Sequence, residues 1–233
     1  MFPKNSNLLR RKWINLGLLS ACVCICARVR AGDTVPRSHE VPINVSELKV
    51  LKRDSGPINY YKVIDGPDGA YIHSAYKWPF KTTVLYYSIP DKLRGAVSKV
   101  RWRWRAVRLP KGGDECAAGR ADSAAVLYLV WRRGLRWYSL KYVWSTVGIP
   151  GKVCDRKRSI FRVQETIIIE SGESMSAWQT VELDTAFEFR KHFADGNPKA
   201  DVPDIDGFGI MSDGDQTQSP SEADFGGFVI TYL

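Results

Sequence analysis

Between residues 99 and 107, apolar and basic side chains alternate strictly along the chain. The apolar positions are Val100, Trp102, Trp104 and Ala106, and the basic positions are Arg101, Arg103 and Arg105. Because the side chains of a strand point alternately to its two faces, this pattern predicts a strand. Its apolar face belongs in a core, and its other face carries an outward row of guanidinium groups, which we call the arginine row.

Two further strands are predicted immediately after this one. Residues 124 to 131 form a continuous apolar run of strand length, and residues 135 to 145 are dense in Trp, Tyr and Val. The basic turn Arg132-Arg133-Gly134 separates them. Together with the first strand, they predict an antiparallel meander of three strands.

The rest of the chain reads as short strands separated by turn residues. The further predicted strands cover residues 45–51, 58–64, 70–76, 83–89, 160–170, 178–183, 207–211 and 227–232. One short helix is predicted over residues 186–194, with Asp184 or Thr185 as its cap and Gly196 after its end. With 233 residues and 44% hydrophobic content, the chain suits one all-β domain, a sandwich or a barrel.

The N-terminal segment, residues 1–31, has the layout of an export signal. Basic residues precede an apolar run from Trp13 to Ala27, and small residues follow it. Three fates stay open: lipidation of Cys22 at the lipobox-like Leu19-Ser20-Ala21-Cys22, ordinary cleavage after Ala31, or retention as a membrane anchor. We then expect a tether and first edge strand over 32–55 and the sandwich domain over 56–233.

The basic charge lies mainly in that segment. The formal net charge is +9, and residues 1–31 hold six basic residues and no acid, which leaves +3 for the remainder. The balance of the folded part therefore disfavours nucleic acid as a partner.

The cysteines suggest one disulfide. Three of the five lie in the export segment, and only Cys116 and Cys154 remain. The predicted meander would bring the loops that contain them to the same end of a sheet, and export would supply an oxidising compartment. We predict a bridge between them; two unrelated thiols are the alternative.

A candidate cation site lies in the loop Asp213-Gly214-Asp215-Gln216-Thr217. Its alternating oxygen atoms around a glycine suit a hard cation, so calcium is the one cofactor that the sequence suggests, with Asp213, Asp215 and Thr217 as ligands. The alternative is an ordinary turn in which aspartates accept backbone N–H bonds.

The arginine row is the main candidate binding surface. Guanidinium groups beside aromatic rings bind anionic groups and stack on sugars. The candidate binding residues are Arg101, Arg103 and Arg105, with Lys141 and Trp144 on the third strand. Alternatively, acids on adjacent strands neutralise the row.

Several of these motifs together resemble the bacterial "domain of unknown function 3047" family over most of residues 56 to 233. They are Trp102-Arg103-Trp104-Arg105, Asp114-Glu115, Asp122, Tyr128, Tyr142-Val143-Trp144-Ser145, and the segment from Met211 through Asp213, Asp215 and Thr217. Lys141 and Gln216 replace residues that are usually asparagine in the family pattern, and Gly227 replaces an acid. The resemblance implies an all-β, jelly-roll-like antiparallel β-sandwich of the galactose-binding type, in an envelope setting, and it supplies no activity.

The sequence favours binding over catalysis. Only His39, His73 and His192 are available, and no hydrolase, metalloprotease or phosphate-loop motif occurs. We expect a non-catalytic protein, exported to the periplasmic side of the membrane, that binds a glycan or an envelope partner. A structural accessory subunit of an integral membrane complex, anchored through residues 1–31, is the first alternative. A polysaccharide-acting enzyme with two carboxylates in a cleft is the second.

Overall fold

The chain folds into two β-sheets packed face to face, as seen in a computed structural model that describes residues 38–51, 60–172 and 177–233. The predicted all-β, jelly-roll-like sandwich with one short helix is confirmed. Residues 1–31, predicted as an export signal with Cys22 as a lipidation site, lie outside the described residues. Within the described ranges, no helix is both long and apolar enough to cross a membrane.

In chain order, the strands are β1 His39–Pro42, β2 Lys49–Val50, β3 Tyr61–Ile64, β4 Tyr71–Tyr76, β5 Leu85–Ser88, β6 Val97–Arg108, β7 Ser123–Arg133, β8 Arg136–Ser145, β9 Val153–Arg158, β10 Arg162–Ser171, β11 Gln179–Asp184, β12 Asp204–Met211 and β13 Ser221–Tyr232. The helix α1 spans Thr185–Phe193, and 3-10 helices cover Val45–Glu47 and Asp91–Ala96.

One sheet has six strands in the order β11-β6-β13-β4-β3, with β1 also paired to β13. The other has seven strands in the order β2-β5-β12-β7-β8-β10-β9. All of these pairs are antiparallel except β8 with β10, which is parallel.

The predicted three-stranded meander is wrong. Strand β6 belongs to the six-stranded sheet, whereas β7 and β8 belong to the other sheet. The reason is the aromatic face of β6, which packs on the aromatic face of β8 across the core. Trp102 faces Tyr142 with ring centroids 6.3 Å apart, and Trp104 faces Trp144 at the same distance. In this arrangement the aromatic side chains of β6 and β8 cover one another and are removed from water.

The N-terminal boundary of the sandwich also differs from the prediction. Residues 32–55, predicted as a tether with an edge strand, contain β1, which pairs with the end of β13, and the two-residue edge strand β2. The sandwich therefore includes His39. Strand β9, whose sequence is mostly charged, was not predicted at all.

The predicted helix is confirmed and closes one edge of the core. Asp184 caps α1, because its Oδ1 accepts the Phe187 N–H at 2.7 Å. On its inner side, Phe189 packs against Trp131 at 5.8 Å and against Tyr138 at 5.1 Å between ring centroids.

The two ends of the sandwich carry different features. At one end, β6 and β8 finish and β7 begins, and the Thr146 hydroxyl donates to the Pro110 carbonyl across 2.8 Å. The disulfide between Cys116 and Cys154 closes this end, so the predicted bridge is confirmed, although Cys154 lies in β9 and not in a loop. We call this the disulfide end. The opposite end, where β7 turns into β8, is the turn end.

Candidate functional site

The arginine row faces outward on β6, as predicted, and its charges are neutralised by neighbouring acids. Arg101 pairs with Glu40 of β1 at 2.9 Å and with Glu182 of β11 at 3.6 Å. Arg103 donates to the Asp68 carbonyl at 2.7 Å and lies 3.7 Å from the Asp68 carboxylate. The alternative, in which adjacent strands neutralise the row, therefore describes what the structure contains.

Arg105 belongs to a packed cluster on the same face. Its Nε donates to Asp224 Oδ2 at 2.7 Å, and His73 Nδ1 contacts the other carboxylate oxygen at 2.7 Å. Trp178 lies over the guanidinium groups of Arg103 and Arg105, 4.7 and 4.9 Å from the ring centroid. Asp224 is buried beneath them. These contacts hold the six-stranded sheet together and engage the groups that a ligand would use.

Trp144 is not at a surface, which corrects the prediction that it contacts a ligand. It is 1% exposed in the core, on the same face of β8 as Leu140 and Tyr142. The alternation along β8 places these three residues toward the other sheet, where their apolar area is removed from water.

Lys141 points to the opposite side of β8 but is also buried, which corrects its assignment to an open basic surface. Its Nζ lies 2.8 and 3.0 Å from the two carboxylate oxygens of Glu115, in the loop after β6. Burial alone would lower the pKa of Lys141, but Glu115 raises it above the ordinary lysine value. The pair is therefore a buried ion pair that fastens the 109–122 loop to the sheet.

Three aspartates meet next to this ion pair, at the disulfide end. Oxygen atoms of Asp122, Asp213 and Asp215 lie within 4.8 Å of one another. The predicted ligand Thr217 instead donates its hydroxyl and its N–H to Asp122 Oδ2, both at 2.6 Å. Sequence reasoning left Asp122 out of the site, although it belongs to the family pattern, because it lies far from the Asp213 loop along the chain.

Within the aspartate cluster, the surroundings of Asp213 disfavour its ionised form. Burial raises the pKa of Asp213 well above its usual value, Asp215 and Asp122 raise it further, and Lys141 opposes the change. In the folded protein, a cation held here would relieve this repulsion.

A second surface, which the sequence did not reveal, is the outer face of the seven-stranded sheet. The strand registers align seven residues across it: Lys49, Tyr86, Gly209, Tyr128, Lys141, Thr166 and Asp155. We call them the tyrosine row. Lys141 and Thr166 are buried, so the accessible part of this row includes Lys49, which is exposed, with Tyr86 and Tyr128, which are half-buried. Directly paired residues share one face of a sheet, so the two tyrosines flank the glycine on that face.

The ring of Tyr86 lies along β12 over two glycines. A Cβ atom on Gly207 would lie 2.8 Å from Tyr86 Cζ, and a Cβ atom on Gly209 would lie 3.1 Å from Tyr86 Cδ2. The ring can take this place only because both positions lack side chains. Its hydroxyl donates to Asp206 Oδ2 at 2.8 Å, which fixes its direction, and burial with the nearby Asp206 raises the pKa of Tyr86.

Polar groups and a further aromatic ring continue this face toward the turn end. The Ser139 hydroxyl donates to Gln164 at 3.4 Å. The Arg132 guanidinium lies 4.9 Å from the ring centroid of Trp137. A shallow groove of about 380 Å³ borders Tyr86 along β2 and β5. Aromatic rings beside hydroxyl, amide and guanidinium groups suit the C–H faces and hydroxyls of a sugar.

The clearest buried pair of carboxylates lies inside the sandwich. Glu165 contacts His192 Nδ1 at 2.9 Å, and Glu188 lies 3.6 Å from its Nε2 and accepts the Tyr142 hydroxyl at 2.7 Å. His192 therefore has partners that the sequence did not show. All four residues are buried, so the cluster packs α1 on the seven-stranded sheet and does not line a cleft.

A family model described as "Protein of unknown function (DUF3047)" matches residues 83–229. No curated protein matches the chain.

Among solved structures, the family 11 carbohydrate-binding module of the cellulosomal cellulase Lic26A-Cel5E of Clostridium thermocellum is 11% identical, with a TM-score of 0.39 over 86% of this chain and 91% of that one. The xyloglucanase domain of NopAA from Sinorhizobium fredii, in complex with cellobiose, is 10% identical, with a TM-score of 0.41 over 80% and 98%. Endoglucanase 3 of Trichoderma harzianum, from family GH12, is 10% identical, with a TM-score of 0.40 over 87% and 99%. At these values, none of the three indicates what this chain binds or catalyses.

Proposed function

For this chain, which belongs to the DUF3047 family of proteins of unknown function, we propose a non-catalytic role in binding a glycan. The binding surface is the outer face of the seven-stranded sheet. The observation that carries the proposal is the Tyr86 ring, held over Gly207 and Gly209 in the same row as Tyr128. A ring whose orientation is fixed in advance loses little entropy when a sugar stacks on it.

The proposed location is the periplasmic side of the membrane. The disulfide between Cys116 and Cys154 supports export, since such bonds persist in oxidising compartments. The export-type layout of residues 1–31 supports it independently.

The glycan proposal predicts the effect of two substitutions. Tyr86→Ala should weaken retention by an immobilised glycan by about tenfold, the order expected for one aromatic stacking contact. Gly209→Ala should also weaken retention without removing the ring, since its Cβ would lie 2.7 Å from Val84 Cγ1 and 3.1 Å from Tyr86 Cδ2, so that the ring has to shift. Affinity electrophoresis in gels that contain soluble β-glucan, galactan or peptidoglycan fragments measures both effects.

The matched control is Tyr71→Ala, on the outer face of the six-stranded sheet beside Trp178. Equal loss of retention in this variant would contradict the assignment to the seven-stranded sheet. If no polysaccharide retains the protein, and a stoichiometric membrane protein copurifies with it, the accessory-subunit function is favoured instead.

We further propose calcium as a structural ion for the aspartate cluster, with Asp122, Asp213 and Asp215 as ligands. At a concentration of about 100 times its Kd, calcium would stabilise the fold by about 2.7 kcal/mol and so raise the Tm. The double variant Asp213→Asn with Asp215→Asn removes two of the ligands, so calcium should no longer raise its Tm. Scanning calorimetry with calcium or with a chelator measures this.

The raised pKa of Asp213 supplies a second readout. The pKa of this carboxyl group is higher in the folded protein than in the unfolded chain. Such a group lowers the stability of the fold as the pH rises from the unfolded pKa to the folded pKa. Without calcium, Asp213→Asn should therefore increase stability at neutral pH. If calcium does not change the melting curve of the wild-type protein, the calcium proposal is wrong, and the loop is an ordinary turn held by Asp122.

A further inference from the structure

Three large apolar side chains are exposed together at the turn end. Leu135, in the β7–β8 turn, is 75% exposed, and Ile160 and Phe161, between β9 and β10, are 81% and 60% exposed. The two turns are neighbours, because Trp137 of β8 donates its N–H to the Phe161 carbonyl at 2.8 Å. We call these three residues the apolar tip.

The apolar tip is surrounded by positive charge. Residues 132–136 and 156–162 contain seven basic residues and no acid: Arg132, Arg133, Arg136, Arg156, Lys157, Arg158 and Arg162. All seven are exposed. Asp201 pairs with Arg133, Asp155 with Lys157, and Glu165 with Arg156 and Arg158. In the described part of the chain, the remaining three arginines form no ion pair, so the tip keeps an excess of positive charge.

The chain enters the sandwich at this same end. His39, the first residue of β1, pairs with Tyr232, which in turn pairs with Val97 at the start of β6. The predicted apolar segment ends at Ala27, and residues 28–38 can span at most about 40 Å when extended. These residues join the sandwich at the end that carries the apolar tip.

We propose that the apolar tip inserts into the surface of an anionic phospholipid membrane. Its side chains would enter the boundary between headgroups and acyl chains, and the surrounding arginines would bind lipid phosphates. Charge complementarity favours this partner. Exposed apolar side chains, among guanidinium groups that form no ion pair, suit an interface that is both apolar and negatively charged. This contact is separate from the tyrosine row, which lies on the side of the sandwich.

Hydroxyl-radical footprinting of the full chain tests the proposal. The protein is mixed with vesicles of phosphatidylcholine, or of equal parts phosphatidylcholine and phosphatidylglycerol. Oxidation of the apolar tip should fall severalfold with the anionic vesicles only. Val147 and Ile149, which are exposed at the disulfide end, should react equally in both samples. An N-terminal anchor alone would bind both vesicles without protecting the tip.

A pair of matched variants separates charge from general adhesion. Arg136→Gln with Arg162→Gln should raise the anionic lipid concentration needed for half-protection by about 30-fold. Lys111→Gln with Lys152→Gln, which removes two exposed charges at the disulfide end, should leave it unchanged. Tip residues that are oxidised equally with and without anionic vesicles would overturn the proposal. So would protection that appears only when membrane proteins accompany the lipid, because the partner would then be a protein.

Discussion

Trp104→Ala is expected to lower the free energy of unfolding by about 3 to 5 kcal/mol, a large part of the stability of a typical domain. Trp104 is fully buried, packed edge-on against Trp102 at 5.6 Å and against Trp144 at 6.3 Å between ring centroids. Its removal leaves a cavity at the contact between the two sheets. Guanidinium unfolding followed by circular dichroism measures the loss.

Two further substitutions on β6 give this prediction its controls. Arg101→Gln, on the outer face of the same strand, should change stability by no more than about 0.5 kcal/mol, since its ion pairs are partly exposed. Trp104→Phe should cost less than the alanine substitution, because it keeps a ring. It also removes an indole N–H that has no partner among the described residues. Equal costs for Arg101→Gln and Trp104→Ala would mean that the faces of β6 are reversed.

Lys141→Ala should be comparably harmful, at about 3 to 5 kcal/mol, for an electrostatic reason. It leaves the carboxylate of Glu115 buried, and among the described residues only the Ser123 hydroxyl, at 2.7 Å, still donates a hydrogen bond to it. Because the folded pKa of Lys141 is raised, the contribution of the pair is complete at neutral pH and is lost only as the pH rises above the usual lysine range. Unfolding curves at neutral pH measure the cost.

The double substitution Lys141→Met with Glu115→Leu distinguishes a lost charge partner from lost packing. Replacing a buried ion pair with apolar residues of similar size is often nearly neutral, so the double variant should recover most of the stability. A double variant as unstable as Lys141→Ala would show that packing, and not the unpaired charge, causes the loss.

The placement of the site followed from the sequence only in part. Alternation along β6 correctly predicted which side chains face out, and the even pair of cysteines beyond residue 31 correctly predicted the disulfide. The burial of Lys141 could not be predicted, because it depends on the 109–122 loop folding over the outer face of β8. The sequence does not reveal the tyrosine row, because its members come from seven separate strands and only the register of those strands brings them together.

The sequence by itself determined the local features of this protein: the positions of most strands, the faces of β6 and the capped helix. These follow from short-range rules, since alternation and capping act within a few residues. Only the tertiary structure decided which strands are neighbours. Alternation shows which face of a strand is apolar, but it does not show which other strand covers that face. Here the aromatic faces of β6 and β8 became opposite walls of one core and not adjacent strands of one sheet.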